Sequence, residues 1–127
     1  MTDRTRLLVV DDDASICQVL KAGLEMHGFT VRYETRSSDT IKACLEFHPE
    51  LILLDMDMPD KDGGDVASEL RDHPTLRHTP VIFRSALVAK KETGKRSATG
   101  QIFLSKQVPL TELVTTIGAV LRTQTPQ

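Results

Sequence analysis

The sequence predicts an α/β fold: a doubly wound, five-stranded parallel sheet with helices on both faces. Two patterns and one composition carry this. Short aliphatic runs at residues 7–10, 51–54, 81–83 and 102–104 show no alternation, as expected of strands buried on both faces. Segments with helical spacing separate the runs, and alternating strands and helices imply right-handed crossovers and a parallel sheet. With no Trp, one Tyr and four Phe, the core must be aliphatic.

Each element follows in order. Leu7, Leu8, Val9 and Val10 form the first strand and end in Asp11, Asp12 and Asp13. From Ala14 to His27, Ile16, Val19, Leu20, Leu24 and Met26 mark the apolar face of a helix, which Gly28 closes. Residues 29–33 alternate and read as an edge strand. Ser37, Ser38 or Asp39 caps a helix carrying Ile41, Cys44 and Leu45, with Pro49 after its end. The third strand, residues 51–54, surfaces at Asp55 in a loop of Pro, Asp and Gly. Val66, Ala67 and Leu70 mark a helix that stops near His73 and Pro74, where the backbone before proline leaves the helical region. Pro80, Val81, Ile82 and Phe83 form the fourth strand, followed by Arg84, Ser85 and Ala86. Residues 90–100 turn polar and basic, so any helix there is expected to be short or mobile. Ile102, Phe103 and Leu104 form the last strand, ending at Ser105 and Lys106. Leu110, Leu113, Val114, Ile117, Val120 and Leu121 give the clearest amphipathic helix.

A chain of 127 residues, 39% hydrophobic and 27% charged, is expected to form one domain. Its core spans about residues 5–122, and residues 123–127 read as a polar tail or the start of a linker. The formal charge of −2 gives no reason to expect direct contact with nucleic acid or an anionic membrane. No apolar run approaches the roughly 20 residues of a membrane span. The amino terminus does not read as a signal peptide, so a cytoplasmic location is expected. Cys17 and Cys44 fall in predicted helices as small core residues.

A five-stranded sheet of this kind most often takes the flavodoxin-like order 2-1-3-4-5, with ligands bound beyond the carboxyl ends of the strands. That rim collects Asp11 and Asp12 from the first strand, Asp55 from the third, Ser85 from the fourth and Lys106 from the fifth. Asp55 taken alone reads equally as a strand terminator or turn cap. Crowded carboxylates repel, and a divalent cation is the natural neutraliser. All-oxygen ligation favours Mg²⁺, or Mn²⁺, over zinc. A cation, an ammonium and a hydroxyl around one carboxylate make a cradle for a phosphoryl group, whose transfer needs mainly positioning and charge neutralisation.

Val9-Val10-Asp11-Asp12, Leu54-Asp55-Met56-Asp57-Met58-Pro59 with Asp62-Gly63, Ser85-Ala86 and Lys106 together resemble the receiver domain of bacterial two-component response regulators, over essentially the whole chain. The resemblance implies a phosphoprotein of a two-component or phosphorelay system, not an enzyme in its own right. In it Asp55 accepts phosphoryl from the phosphohistidine of a sensor histidine kinase or histidine phosphotransfer protein. It implies Mg²⁺ held by the carboxylates of Asp12 and Asp55, by the backbone carbonyl of Asp57, and by Asp11 largely through water. Lys106 pairs with the acyl phosphate and Ser85 hydrogen-bonds to it. Phosphorylation adds about one and a half to two negative charges. That charge draws Ser85 inward and repacks Phe103, the aromatic switch position. The face made by the fourth connection, the fifth strand and the last helix then changes for a downstream protein target or output domain, and any homodimer forms through it.

Three features depart from the family pattern. Gln107 follows Lys106 where proline is usual; a cis bond to Gln costs about 3 kcal/mol, so a trans bond and a shifted loop are expected. Lys90, Lys91, Lys95 and Arg96 face a single Glu92 and read as a solvated surface, or as a docking patch for an acidic partner. Arg84 stands where an aliphatic residue is usual, and is expected to reach the rim and pair with an acid there. Two further functions fit parts of the pattern. A receiver fold that signals without phosphate accommodates the departures. A haloacid-dehalogenase-like phosphatase matches Leu54-Asp55-Met56-Asp57, but there the acidic metal pair follows the lysine.

Overall fold

The computed structural model describes residues 4–86 and 102–123. The basic stretch at 90–100 and the end of the polar tail lie outside them. Five strands form one parallel sheet: β1 (Arg6–Val10), β2 (Thr30–Glu34), β3 (Leu51–Asp55), β4 (Val81–Ser85) and β5 (Ile102–Ser105). Their order is β2-β1-β3-β4-β5, the expected 2-1-3-4-5. Among the described residues, the α-helices are α1 (Ala14–Met26), α2 (Thr40–Phe47), α3 (Gly63–Asp72) and α4 (Leu110–Thr123).

Side chains alternate across a strand, so each unbroken aliphatic run feeds two cores. Leu7, Val9, Leu51, Leu53, Ile82, Ile102 and Leu104 pack with Cys17, Leu20 and Leu24 of α1 and Leu113, Ile117 and Val120 of α4. Leu8, Val10, Ile52, Leu54 and Phe83 face the other way, toward Ala43 and Cys44 of α2 and Val66, Ala67 and Leu70 of α3. That two-sided burial is why these runs show no polar alternation. β2, at the sheet's edge, buries only Val31.

The face of α1 is narrower than expected. Cys17, Leu20 and Leu24 are buried, whereas Val19 and Met26 stand 72% and 87% exposed. Residues at i, i+3 and i+7 already fill the strip that reaches the sheet, and Val19 and Met26 are rotated off it. The helix ends as its sequence requires. Gly28 adopts φ +95°, its N–H donates to Glu25 O at 3.1 Å, and Phe29 N–H reaches Leu24 O at 3.3 Å. This is the paired closure that a left-handed glycine permits.

The entry to α2 also differs. Ser37–Asp39 form a 3₁₀ turn, and the Asp39 side chain makes no capping bond. The Ser37 hydroxyl is instead drawn to the loop after β3, 2.7 Å from Asp60 Oδ1 and 2.6 Å from Lys61 O. Tertiary partners there outcompete the local cap.

Candidate functional site

The acids converge at the carboxyl rim of the three central strands. Asp11, one residue past β1, and Asp55, the last of β3, are each 1% exposed. Their depth follows from register: Val10 pairs with Leu54 in the β1–β3 ladder, so the next residue of each chain lies side by side. One carboxylate oxygen each from Asp11, Asp12 and Asp55 lies within 4.8 Å of the others. Asp12 is exposed at the mouth. Asp13 turns away and caps α1, its Oδ1 accepting the N–H groups of Ser15 and Ile16 at 2.9 and 3.2 Å.

Among the described residues, the hydrogen bond and ion pair of the Asp55 carboxylate both fall on one of its oxygens. Oδ1 accepts the Asp57 N–H at 2.9 Å and the Lys106 ammonium at 2.9 Å. Oδ2 is buried and, among the described residues, has no hydrogen-bond partner. Buried polar atoms are rarely left unpaired. An orphaned carboxylate oxygen beside two other acids fits a hard cation, and the donor set is all oxygen.

Lys106 reaches Asp55 although Gln107 follows it. No described peptide bond is cis. The turn after β5 is held by Lys106 N–H donating to Ser85 O at 3.1 Å and Gln107 N–H donating to Ser105 Oγ at 3.1 Å. Burial pulls the Lys106 ammonium down. The hydrogen bond to Asp55 and the charges of Asp55, Asp11 and Asp57 together outweigh it and hold Lys106 above the usual lysine value. Asp11 is pushed the other way: desolvation, helped by the Asp55 charge, raises it against the Asp13 amide and the charges of Lys106 and Arg84.

Arg84 has found its acid. Its Nη1 donates to Asp11 Oδ2 at 3.3 Å, and the residue is only 8% exposed. A lone arginine at the end of an apolar run marked the position. The identity of its partner depended on which rim residue lay across the sheet.

Ser85 is buried, 5% exposed, at the end of β4. Beyond it the Ala86 N–H donates to Asp57 Oδ2 at 3.4 Å, so the exposed Asp57 side chain ties the β3 loop to the end of β4. Phe103 is half-buried and stacks on Phe83, with ring centroids 5.0 Å apart and planes 23° apart. Cys17 is a buried, unreactive thiol: burial, with the Asp11 charge, pushes it up to about 11.

Behind the rim, Gly63 opens α3 against the β3 loop. A Cβ there would stand 2.6 Å from Met56 Sδ and 3.2 Å from Met56 Cα, which leaves no room for a side chain. Asp60, not singled out in the sequence, anchors the same loop by accepting the Ser38 N–H at 3.1 Å as well as facing the Ser37 hydroxyl. The Ser37 hydroxyl, opposed by desolvation and aided by the Ser38 and Ser37 amides, holds Asp60 well below its ordinary 3.8. A depressed acid stabilises the fold above its unfolded value and loses that contribution as pH falls through the folded one. Wild-type protein should therefore exceed Asp60→Asn in urea midpoint at neutral pH, with the gap closing below 3.8. A gap that stays constant into acid contradicts this.

Sheet order and rim chemistry together define a class of protein, the doubly wound α/β domain with an acid cluster at its switch point. The response regulator receiver domain family matches this chain over residues 7–118, and the chain belongs to that family. It is 32% identical over 117 residues to the transcriptional regulatory protein PrrA of Mycobacterium tuberculosis, covering 92% of this chain and 50% of PrrA. It is 30% identical over 118 residues to the polar-differentiation response regulator DivK of Brucella ovis, covering 91% of this chain and 94% of DivK. The chain thus spans about half the length of the first of these relatives and nearly all of the second. In fold it is similar to the crystal structure of a sensor protein from Polaromonas sp. JS666, with TM-score 0.84 and 21% identity over 97% of this chain and 100% of that one.

Receiver domains are signalling domains of two-component systems rather than classical enzymes, and they generally bind Mg²⁺ at an acidic pocket. Response regulators as a family imply histidine kinases as partners. Among the described residues, no helix is long and apolar enough to cross a membrane.

Proposed function

We propose that Asp55 accepts a phosphoryl group from the phosphohistidine of a sensor kinase or histidine phosphotransfer protein. The observation that carries this is the asymmetry of Asp55: Oδ1 is held by Lys106 and the Asp57 amide, while Oδ2 is buried and has no hydrogen-bond partner among the described residues. In the transfer, one carboxylate oxygen of Asp55 bonds to phosphorus as the phosphorus–nitrogen bond breaks, and the imidazole leaves with the electron pair. The product is an aspartyl anhydride. Asp12 and Asp55 would hold Mg²⁺ by their carboxylates, Asp57 by its backbone carbonyl and Asp11 through water. When bound, that ion supplies positive charge against the transferring phosphoryl oxygens. Lys106 neutralises charge on the side of Oδ1, and Ser85 donates a hydrogen bond to the phosphoryl group. The Ser85 movement releases the Ala86 tie to Asp57 and lets Phe103 leave Phe83, reshaping the β5 and α4 face for a downstream protein, an output domain or a second copy.

On this reading residues 1–127 form a single receiver domain that acts in the cytoplasm, without direct contact to nucleic acid or membrane. Incubation with acetyl phosphate and Mg²⁺, followed by intact-mass measurement, tests it. The mass of one phosphoryl group should be gained by wild-type protein and not by Asp55→Asn. No gain in the wild type, or an equal gain in the variant, overturns the assignment.

A further inference from the structure

Among the described residues, two cations meet the acid cluster. Lys106 sits on Asp55 at 2.9 Å. Arg84 sits on Asp11 at 3.3 Å, with side chains 9% and 1% exposed. The other oxygen of Asp11 accepts the Asp13 N–H at 2.9 Å, so each Asp11 oxygen is already engaged once and the guanidinium occupies the approach to Oδ2. The Arg84 contact is single and long, whereas a committed arginine–carboxylate pair is usually forked and about 2.7–2.9 Å. It is a contact of charge more than of geometry.

The same guanidinium has somewhere else to go. Arg84 forms part of the wall of a pocket of about 410 Å³ between α1 and α4, lined also by Ser15, Ile16, Val19, Leu104 and Leu110. Lys106 stands on the same wall. An arginine stem can lie along such apolar surface with its head turned toward solvent.

We infer that Arg84 is a resident counter-cation of the acid cluster, whose guanidinium turns from Asp11 toward the α1–α4 pocket when a divalent cation binds and whose charge thereby weakens metal affinity. This rests on the Mg²⁺ reading above. The physical reason is competition. Arg84 neutralises part of the carboxylate repulsion, and its charge opposes a second cation close by. Metal occupancy is in this way coupled to the groove between α1 and α4, on the far side of the sheet from the Phe83–Phe103 stack.

Two measurements on the intact chain test the inference. By isothermal titration with MgCl₂, Arg84→Met should bind Mg²⁺ about tenfold more tightly than wild type, since methionine keeps the bulk of the stem and removes the charge. By NMR on wild-type protein, a Mg²⁺ titration should shift the Arg84 Nε–H signal and the methyls of Ile16 and Leu110 together with the Asp12 amide. The second measurement stands even where the variant folds poorly. Equal or weaker Mg²⁺ affinity in a folded variant, or an Arg84 signal that stays still while the Asp12 amide moves, overturns the inference and leaves the metal reading intact. Absence of any heat or amide response in wild-type protein sinks the metal reading, and the inference with it.

Discussion

Lys106→Met should accept phosphoryl from acetyl phosphate about 10²–10³-fold more slowly than wild type, the usual loss when one preorganised charge or donor is removed from a reacting centre. The ammonium touches Asp55 directly at 2.9 Å, and its turn is pinned to β4 through Ser85 O. Methionine keeps the length of the stem and discards the charge. Stopped reactions read by intact mass give the rate, and a loss below about threefold contradicts the role. The same variant has a signature in pH. Lys106 is raised above its ordinary 10.5 in the fold, so its contribution to stability is complete below 10.5 and lost as pH climbs through the folded value. Without metal, wild type should melt higher than Lys106→Met at neutral pH, and that margin should shrink only in strong alkali.

Leu53→Ala should destabilise the domain by about 2–5 kcal/mol, a large share of the roughly 5–15 kcal/mol that holds a domain of this size. Leu53 is fully buried in the centre of β3. It is paired with Val9 on one side and Ile82 on the other. Its face packs against residues of α1 and α4. Urea unfolding should show a lower midpoint at unchanged slope. A shift worth less than about 1 kcal/mol contradicts the packing described. Because β3 also delivers Asp55, such a loss should loosen the acid cluster before the domain unfolds as a whole.

The site's acids were legible because Asp11 and Asp55 lie directly after aliphatic runs, with Asp12 next in line, and a buried parallel strand delivers the residues at its end to one rim. Asp11, Asp12, Asp55 and Lys106 required no more than that rule and the strand order. Asp60 was not legible, because its role depends on Ser37 and Ser38, 23 and 22 residues away. Nor was the exposure of Val19 and Met26: periodicity states which residues share a side of α1, and the width of strip that the sheet covers is set by the neighbouring helix.

Local chemistry was thus sufficient for the element types, their sequence along the chain and the residues bound for the rim, since strand burial, turn residues and helix closure act over a few positions. The pairing of charges at the rim needed the assembled fold. Which acid Arg84 would meet, and that Lys106 would still reach Asp55 ahead of Gln107, turned on distances between segments 73 and 51 residues apart. Electrostatic contacts of that reach carry no periodic trace in a sequence, because they are selected by sheet register and by which cation arrives with the least desolvation.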